Sequence, residues 1–305
     1  MKKILLSVLT LIATLSLFSQ ERMLMLSQYV HNQYLLNTAF AGSREALSLY
    51  GFYRQQWAGY KNPPNSQGFT IHAPLKNENV ALGGLIYHES WDLYHGTKGT
   101  MSYTYRLITK SGNKIAFSLN AGLMAYRWGG IDIDYIQRPD NTLDDFNFES
   151  DSRFSMGFGT AWYGKNFFLG FSVYDFFYRS PYVPDASFFT LGKLSFIFTG
   201  GYLFDISESI SLQPSMLVNL EPEGKIMADI SASAIIRNTF WVGGTVRTNK
   251  EFIGLAGWNI TPQLRVTYSY DFPTGELRKL SAGSHEISIQ FDFGYKIITS
   301  SPKFF

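Results

Sequence analysis

The sequence has no cysteine among its 305 residues. That excludes a disulfide framework, thiolate metal centres and cysteine nucleophiles, and with them the acylated cysteine of a bacterial lipoprotein. Charge is scarce too: Asp, Glu, Lys and Arg make up 16% of the chain, against roughly 25% in ordinary soluble domains. The 26 basic and 24 acidic residues nearly cancel. There is thus neither the basic stripe of a nucleic-acid binder nor the charge excess of a disordered chain. After Ser19 no apolar run is long enough for a membrane-spanning helix. A phosphate-binding glycine loop is also missing, and glycines such as Gly157 and Gly159 fall inside expected strands, where they relieve crowding. What is abundant is aromatic: Phe, Tyr and Trp form 17% of the chain. Aromatic-rich, poor in charge and without long apolar runs is the composition of a membrane β-barrel, in which only alternate residues meet lipid.

The N-terminus has the layout of an export signal. Met1-Lys2-Lys3 is a short positive region and Ile4 to Phe18 is apolar. Ser19 is a small residue at a suitable cleavage point, leaving Gln20 first. Residues 1–19 are therefore read as a signal peptide. Residues 20–45, which show no clean period, are read as a periplasmic strap or a plug entering the lumen. Residues 46–305 are read as the barrel.

From Ala46 to Tyr295 the period is two. In Lys114 to Tyr126, Ile115, Phe117, Leu119, Ala121 and Leu123 share one face and Ala116, Ser118, Asn120 and Gly122 the other. Ile226 to Arg237, Gln263 to Asp271 and Glu286 to Lys296 repeat the pattern. Alternation alone also suits a soluble sandwich. Here, however, the apolar face stays rich in Phe and Tyr to the strand ends, as an interfacial girdle requires, and the opposite face is small and polar. Arg106, Asp229, Arg237, Arg265 and Asp292 fall on that second face, which makes them expected lumenal charges, either ion-paired across the barrel or lining a conduction path. Pro214 interrupts the strand Ile210 to Leu220, and a bulge is expected there.

The pattern gives about fourteen antiparallel strands, an even number as in single-chain bacterial barrels. One set of connections is uniformly short: 74–79, 110–113, 164–166, 205–209, 238–239 and 261–262. The alternate set holds every long one, 55–65, 89–98, 128–152, 176–191 and 272–284, together with two short ones, 221–224 and 248–251. Short turns face the periplasm in such barrels and long loops face outward. That parity predicts both termini in the periplasm.

Several segments carry a resemblance. Ser27-Gln28-Tyr29, Asn32, Asn37, Ala39, Ala41 and Gly42 precede the first strand, and Tyr53-Arg54-Gln55-Gln56-Trp57 ends it. Gln213-Pro214-Ser215-Met216-Leu217-Val218 lies mid-chain. Ser284-His285-Glu286-Ile287 opens the last strand, and Ser301-Pro302-Lys303-Phe304-Phe305 closes the chain. Together these resemble the PorP/SprF family of type IX secretion and gliding-motility membrane proteins, over essentially the whole mature chain. The resemblance implies a barrel in the outer membrane of a Gram-negative bacterium, with no enzymatic chemistry, cofactor or metal of its own. It also implies export or surface anchoring of a secreted protein or adhesin that carries a C-terminal sorting domain. A periplasmic, peptidoglycan-associated partner is implied for one branch of the family.

Two rival functions follow from the residues. A passive channel would be lined by Asn65, Gln67, Thr70 and His72. A hydrolase would use His88, Glu89, Asp92 and His95 in one outward loop, or His285 with Glu286 at the same rim, but the spacing matches no zinc motif. Trp91 and Tyr94 in that loop suit a contact surface better. Aromatic residues in the outward loops, above all Trp91, Tyr94, Tyr135, Tyr178 and Tyr182, are therefore the candidate partner-binding anchors.

Overall fold

The computed structural model describes residues 26–128, 149–174, 194–221, 226–248, 251–274, 278–279 and 281–294. The alternation of the sequence becomes an up-and-down ring. Its first strands are β1 (Leu47–Gln55), β2 (Asn65–Pro74), β3 (Val80–Trp91), β4 (Tyr94–Ile108) and β5 (Lys114–Trp128). Then come β6 (Glu149–Tyr163), β7 (Phe167–Tyr174), β8 (Ser195–Tyr202), β9 (Phe204–Ser207) and β10 (Ile210–Leu220). β11 (Ile226–Ile236), β12 (Phe240–Arg247), β13 (Glu251–Asn259), β14 (Leu264–Phe272) and β15 (Ser284–Phe293) complete it. Neighbours pair antiparallel, and β1 closes on β15 from Leu47↔Phe293 to Gln55↔His285. β8 and β9 both pair with β10 and are two parts of one stave, so the fifteen strands make a closed barrel of fourteen staves. Closure leaves no edge with unpaired backbone groups, which is the condition for a sheet to sit in lipid.

The break between β8 and β9 lies opposite Gln213-Pro214. Gly201 faces Ser215 and Phe204 faces Leu212, so the count is equal on both sides of the gap. Pro214 thus produces a missing stretch of ladder rather than the expected bulge, because a residue without an N–H has no bond to donate there. The register shift lies at the start of β10, between Ile210 and Ser211, ahead of Pro214.

Side chains sort by parity. Met101, Ile230, Leu123 and Ile86 project outward, 80%, 71%, 63% and 62% exposed, while Thr100, Ser102 and Thr104 between them are buried inside. An apolar belt this bare requires lipid around it. One rim holds the connections after β2, β4, β6, β9, β11 and β13, none of them long. At the other rim β1, β3, β5, β7, β10, β12 and β14 end. The connection expected at 89–98 is not a loop: β3 and β4 continue through it to a two-residue turn at Asp92 and Leu93, with Asp92 in the left-handed region at φ 51°.

Before β1 the chain lies inside the barrel. Leu26 to Ser43 are buried throughout and make two single-turn 3-10 helices, Gln33–Leu35 and Thr38–Phe40. The expectation that both termini share one rim concerns residues outside the described ones. Within them, Leu26 lies at the long-loop rim, and β15 ends at the short-turn rim.

Candidate functional site

The lumen is the place where this sequence concentrates polar chemistry, and residues 26–45 occupy it. The inner wall supplies mostly hydroxyls and amides, and the segment bonds several of them in turn. Gln28 donates to the Glu286 carbonyl (2.8 Å) and accepts from Ser288 (2.6 Å). Tyr29 bonds Ser231 (3.0 Å), Asn32 donates to Thr70 (3.0 Å) and Tyr34 bonds Ser102 (2.9 Å). Asn37 reaches the carbonyls of Thr160 and Phe171 (2.9 and 3.1 Å), and Thr38 bonds Ser118 (2.8 Å). These partners belong to β2, β4, β5, β6, β7, β11 and β15, so the segment is held from all round the ring. Apolar contacts fill the gaps: His31 stands edge-on to Trp241 at 5.6 Å and Phe40 edge-on to Phe168 at 6.1 Å. Two lumenal glycines make this fit possible. A Cβ on Gly83 would lie 2.5 Å from the Tyr34 hydroxyl, and one on Gly159 would lie 2.2 Å from Asn37 Oδ1.

At the long-loop rim the segment meets a buried ionic cluster. Arg54 Nη2 lies 2.6 Å from Asp271, and its Nη1 lies 3.2 Å from Glu286 and donates to Ser27 Oγ at 2.9 Å. The Ser27 hydroxyl donates to Asp271 at 2.7 Å, and its N–H donates to Glu286 at 2.8 Å. Beside it Arg247 binds Asp229 through two nitrogens at 2.9 Å each, reaches Glu251 at 3.3 Å and donates to the Leu26 carbonyl at 3.1 Å. All of these charged side chains are at least nine-tenths buried. Charges so placed persist only where bidentate geometry and added hydrogen bonds offset lost hydration.

The opposite rim has its own set. Arg44 Nε lies 2.8 Å from Asp292. Arg106 donates to the Gly42 carbonyl at 2.8 Å, bonds Glu45 at 3.2 Å and reaches the Glu78 carbonyl, while Lys114 pairs with Glu45. Of the expected lumenal charges, the structure thus puts Arg106 and Asp292 at this rim and Asp229 at the other. Arg265 is buried against the Trp241 ring, 4.2 Å from its centroid, and donates to Asn259. Arg237 does not belong with them. It is exposed at the turn after β11, with φ 50° followed by φ 53° at Asn238, so the strand ends one residue before the alternation would carry it inward. The partner of Asp229 is accordingly Arg247, its cross-strand neighbour, which sequence reading passed over.

Among the candidate anchors, Tyr135 falls in 129–148, and Tyr178 and Tyr182 fall in 175–193, outside the described residues. Tyr94 is only 9% exposed and packs inward, because β4 begins with it. It is a wall residue and not an exposed anchor. Trp91 stands edge-on to Trp57 at 6.4 Å. With Tyr60, 45% exposed, and Leu93, 37% exposed, these two form an apolar patch across two neighbouring connections, which an Asn62–Asp92 hydrogen bond of 3.1 Å ties together.

The histidines divide likewise. His88 bonds Thr97 at 2.8 Å and stacks on His95 at 6.2 Å, both on strands instead of in a loop. His285 faces outward to Tyr268 (2.7 Å), while Glu286 points into the lumen, so the two do not form one acid–base pair. His72 is lumenal and accepts from the Gly42 N–H at 3.2 Å. Thr70 lines the lumen with it, but Gln67 faces outward.

No curated protein matches the sequence. Solved structures match at low identity. The Acinetobacter baumannii outer membrane protein Omp33 is 9% identical, covering 82% of this chain and 100% of that one, with a TM-score of 0.48. BamA from Haemophilus ducreyi lacking POTRA domains 1–3 is 10% identical, covering 81% and 70%, with a TM-score of 0.42. A mutant of the Rh. blastica porin is 9% identical, covering 81% and 99%, with a TM-score of 0.37. Residues 19–291 match the family described as type IX secretion system membrane protein PorP/SprF. The match spans all fourteen staves but for the last two residues of β15. The chain therefore belongs to the PorP/SprF family and is an outer-membrane barrel of the type IX secretion system.

Proposed function

We propose that this barrel is a non-enzymatic docking component that holds a secreted protein or adhesin, through its C-terminal sorting domain, on the long-loop rim. In this reading that rim faces outward and the short-turn rim faces the periplasm, where a peptidoglycan-associated partner would bind. The observation that carries the proposal is the occupied lumen. A passive channel needs an open path, and residues 26–45 fill this one with buried side chains bonded to the wall. With the lumen taken, the surface left for a partner is a rim. The long-loop rim offers what a protein contact needs, an apolar aromatic patch at Trp57, Tyr60, Trp91 and Leu93.

The test is the double substitution Tyr60→Ala and Trp91→Ala in cells. The variant should insert and run as a heat-modifiable band like the wild type. Cargo with a sorting domain should leave the cell surface and appear in the medium. Cells that keep their full complement of surface cargo would show that this patch is not the dock.

A further inference from the structure

The outward faces of the staves do not end alike at the long-loop rim. On β11, β12, β13 and β14 they stay apolar to the last residues, with Ile226, Val246, Phe252 and Phe272 all exposed. Across β2 to β6 they change. Cross-strand pairing sets three outward rows there. The first, Phe69↔Ile86↔Gly99↔Leu123↔Phe154, belongs to the apolar belt. Two residues further along each strand comes Gln67↔His88↔Thr97↔Ala125↔Ser152, and two further again Asn65↔Ser90↔His95↔Arg127↔Ser150. The upper two rows hold an arginine, two histidines, hydroxyls and amides, and no carboxylate. Glu89 has the other parity and bonds the inward Tyr87 at 2.6 Å. His88 and His95 stack at 6.2 Å, Thr97 bonds His88 at 2.8 Å, and His95 stands opposite Arg127. His95, Thr97, Arg127, Ser150 and Ser152 are exposed. Just below them the belt has a hollow: a Cβ on Gly99 meets nothing within 4 Å, between the exposed Ile86 and Leu123.

We propose that this patch on the outer wall of β3, β4 and β5 binds the phosphate-bearing head group of a membrane lipid, with an acyl chain lying over Gly99. A phosphate is held by guanidinium, imidazole and hydroxyl donors and is repelled by carboxylates, and these two rows supply the first and lack the second. The patch also begins where the apolar belt stops, which is the level at which head groups meet a barrel wall. A free phosphate has use for the polar rows alone. A lipid uses the polar rows and the hollow at Gly99 together, and the register places one directly above the other. The choice of lipid rests on the orientation proposed above. With the long-loop rim outward, the patch meets the outer leaflet, whose phosphorylated glycolipid carries its phosphates on lipid A. The β3–β4 hairpin, which bears Trp91 near its tip, is then held to the bilayer along its outer face.

The test titrates purified full-length protein in detergent with lipid A, with the same lipid after removal of its phosphates, and with inorganic phosphate. Lipid A should bind about tenfold more tightly than the dephosphorylated lipid. Inorganic phosphate should not displace it at equal concentration. The triple variant His88→Gln, His95→Gln and Arg127→Gln should keep the heat-modifiable band and lose the preference for the phosphorylated lipid. Equal binding of the two lipids by the wild type would overturn the proposal, and so would an unchanged preference in the triple variant. Displacement of lipid A by an equal concentration of inorganic phosphate would leave a free-anion site and no lipid site. The comparison of the two lipids uses the wild-type chain, so it stands even where the triple variant does not fold. The leaflet is read separately by Lys61→Cys, exposed at the same rim in a chain with no thiol of its own. An impermeant maleimide should label it on intact cells. Labelling only after the outer membrane is permeabilised would sink the orientation and the choice of lipid A with it, while the preference for a phosphorylated lipid is decided by the titrations alone.

Discussion

Arg247 shows what a single side chain does in this barrel. Its guanidinium holds Asp229 in a fork, touches Glu251 and donates to the Leu26 carbonyl, so one residue joins β11, β12, β13 and the internal segment. Removing it leaves two buried carboxylates without their cation. Breaking a buried pair from one side costs about 3–5 kcal/mol. Arg247→Met should therefore lower the temperature at which the heat-modifiable band is lost. Arg237→Ala, exposed at its turn, should stay within about 0.5 kcal/mol of the wild type. Equal melting of the two variants would mean that water reaches the Arg247 cluster and screens it. The sequence made Asp229 legible as lumenal, because parity chooses a face. It did not make its partner legible, because parity says nothing of register, and Asp229↔Arg247 is a register fact. Arg237 was misplaced for a related reason. A turn with two left-handed residues stops the alternation one residue before the expected connection at 238–239, and an arginine does not announce such a stop as asparagine or glycine would.

At the level of elements the strands were the readable part. Lys114 to Tyr126 alternates cleanly and is a strand with those two faces outward and inward, and Ile210 to Leu220 is a strand in spite of Pro214. Strand ends were less legible where a hairpin outruns the membrane: His88 to Lys98 are polar enough to read as a loop, yet they pair residue by residue from His88↔Thr97 to Trp91↔Tyr94. The internal segment gave no period because each residue meets a different part of a curved wall, with no single flat face to match. What the sequence did leave is glycine on the inward parity. Gly159 faces Asn37, and any side chain there collides with it. Gly159→Val should cost about 1–3 kcal/mol through overpacking and push the segment off its bonds to Thr160 and Phe171. A Cβ on Gly99 meets nothing within 4 Å, so Gly99→Ala should leave the melting temperature unchanged. If both variants melt like the wild type, the segment is not seated against β6.

For the molecule as a whole, the closed ring was implied by an even count of staves and by the sorting of connection lengths. The contents of the ring were not. A barrel of this many staves encloses space that side chains of the wall alone do not fill, so an empty one conducts. Here the space goes to residues 26–45, and the barrel and its filling are one covalent chain. The same architecture therefore yields two opposite electrical behaviours depending on a stretch that forms none of the wall. Purified full-length protein in a planar bilayer should show no steady ohmic current. A variant lacking residues 28–42 should insert and conduct, because its inner wall of Thr70, Ser102, Ser118 and Ser231 is then hydrated. The rim clusters keep most of their ion pairs in that variant, since Arg54–Asp271 and Arg247–Asp229 are both wall to wall, so the barrel itself should survive the deletion. If the full-length protein conducts as freely as the deletion, residues 26–45 do not occupy the lumen in the membrane. The docking proposal would then lose to the channel.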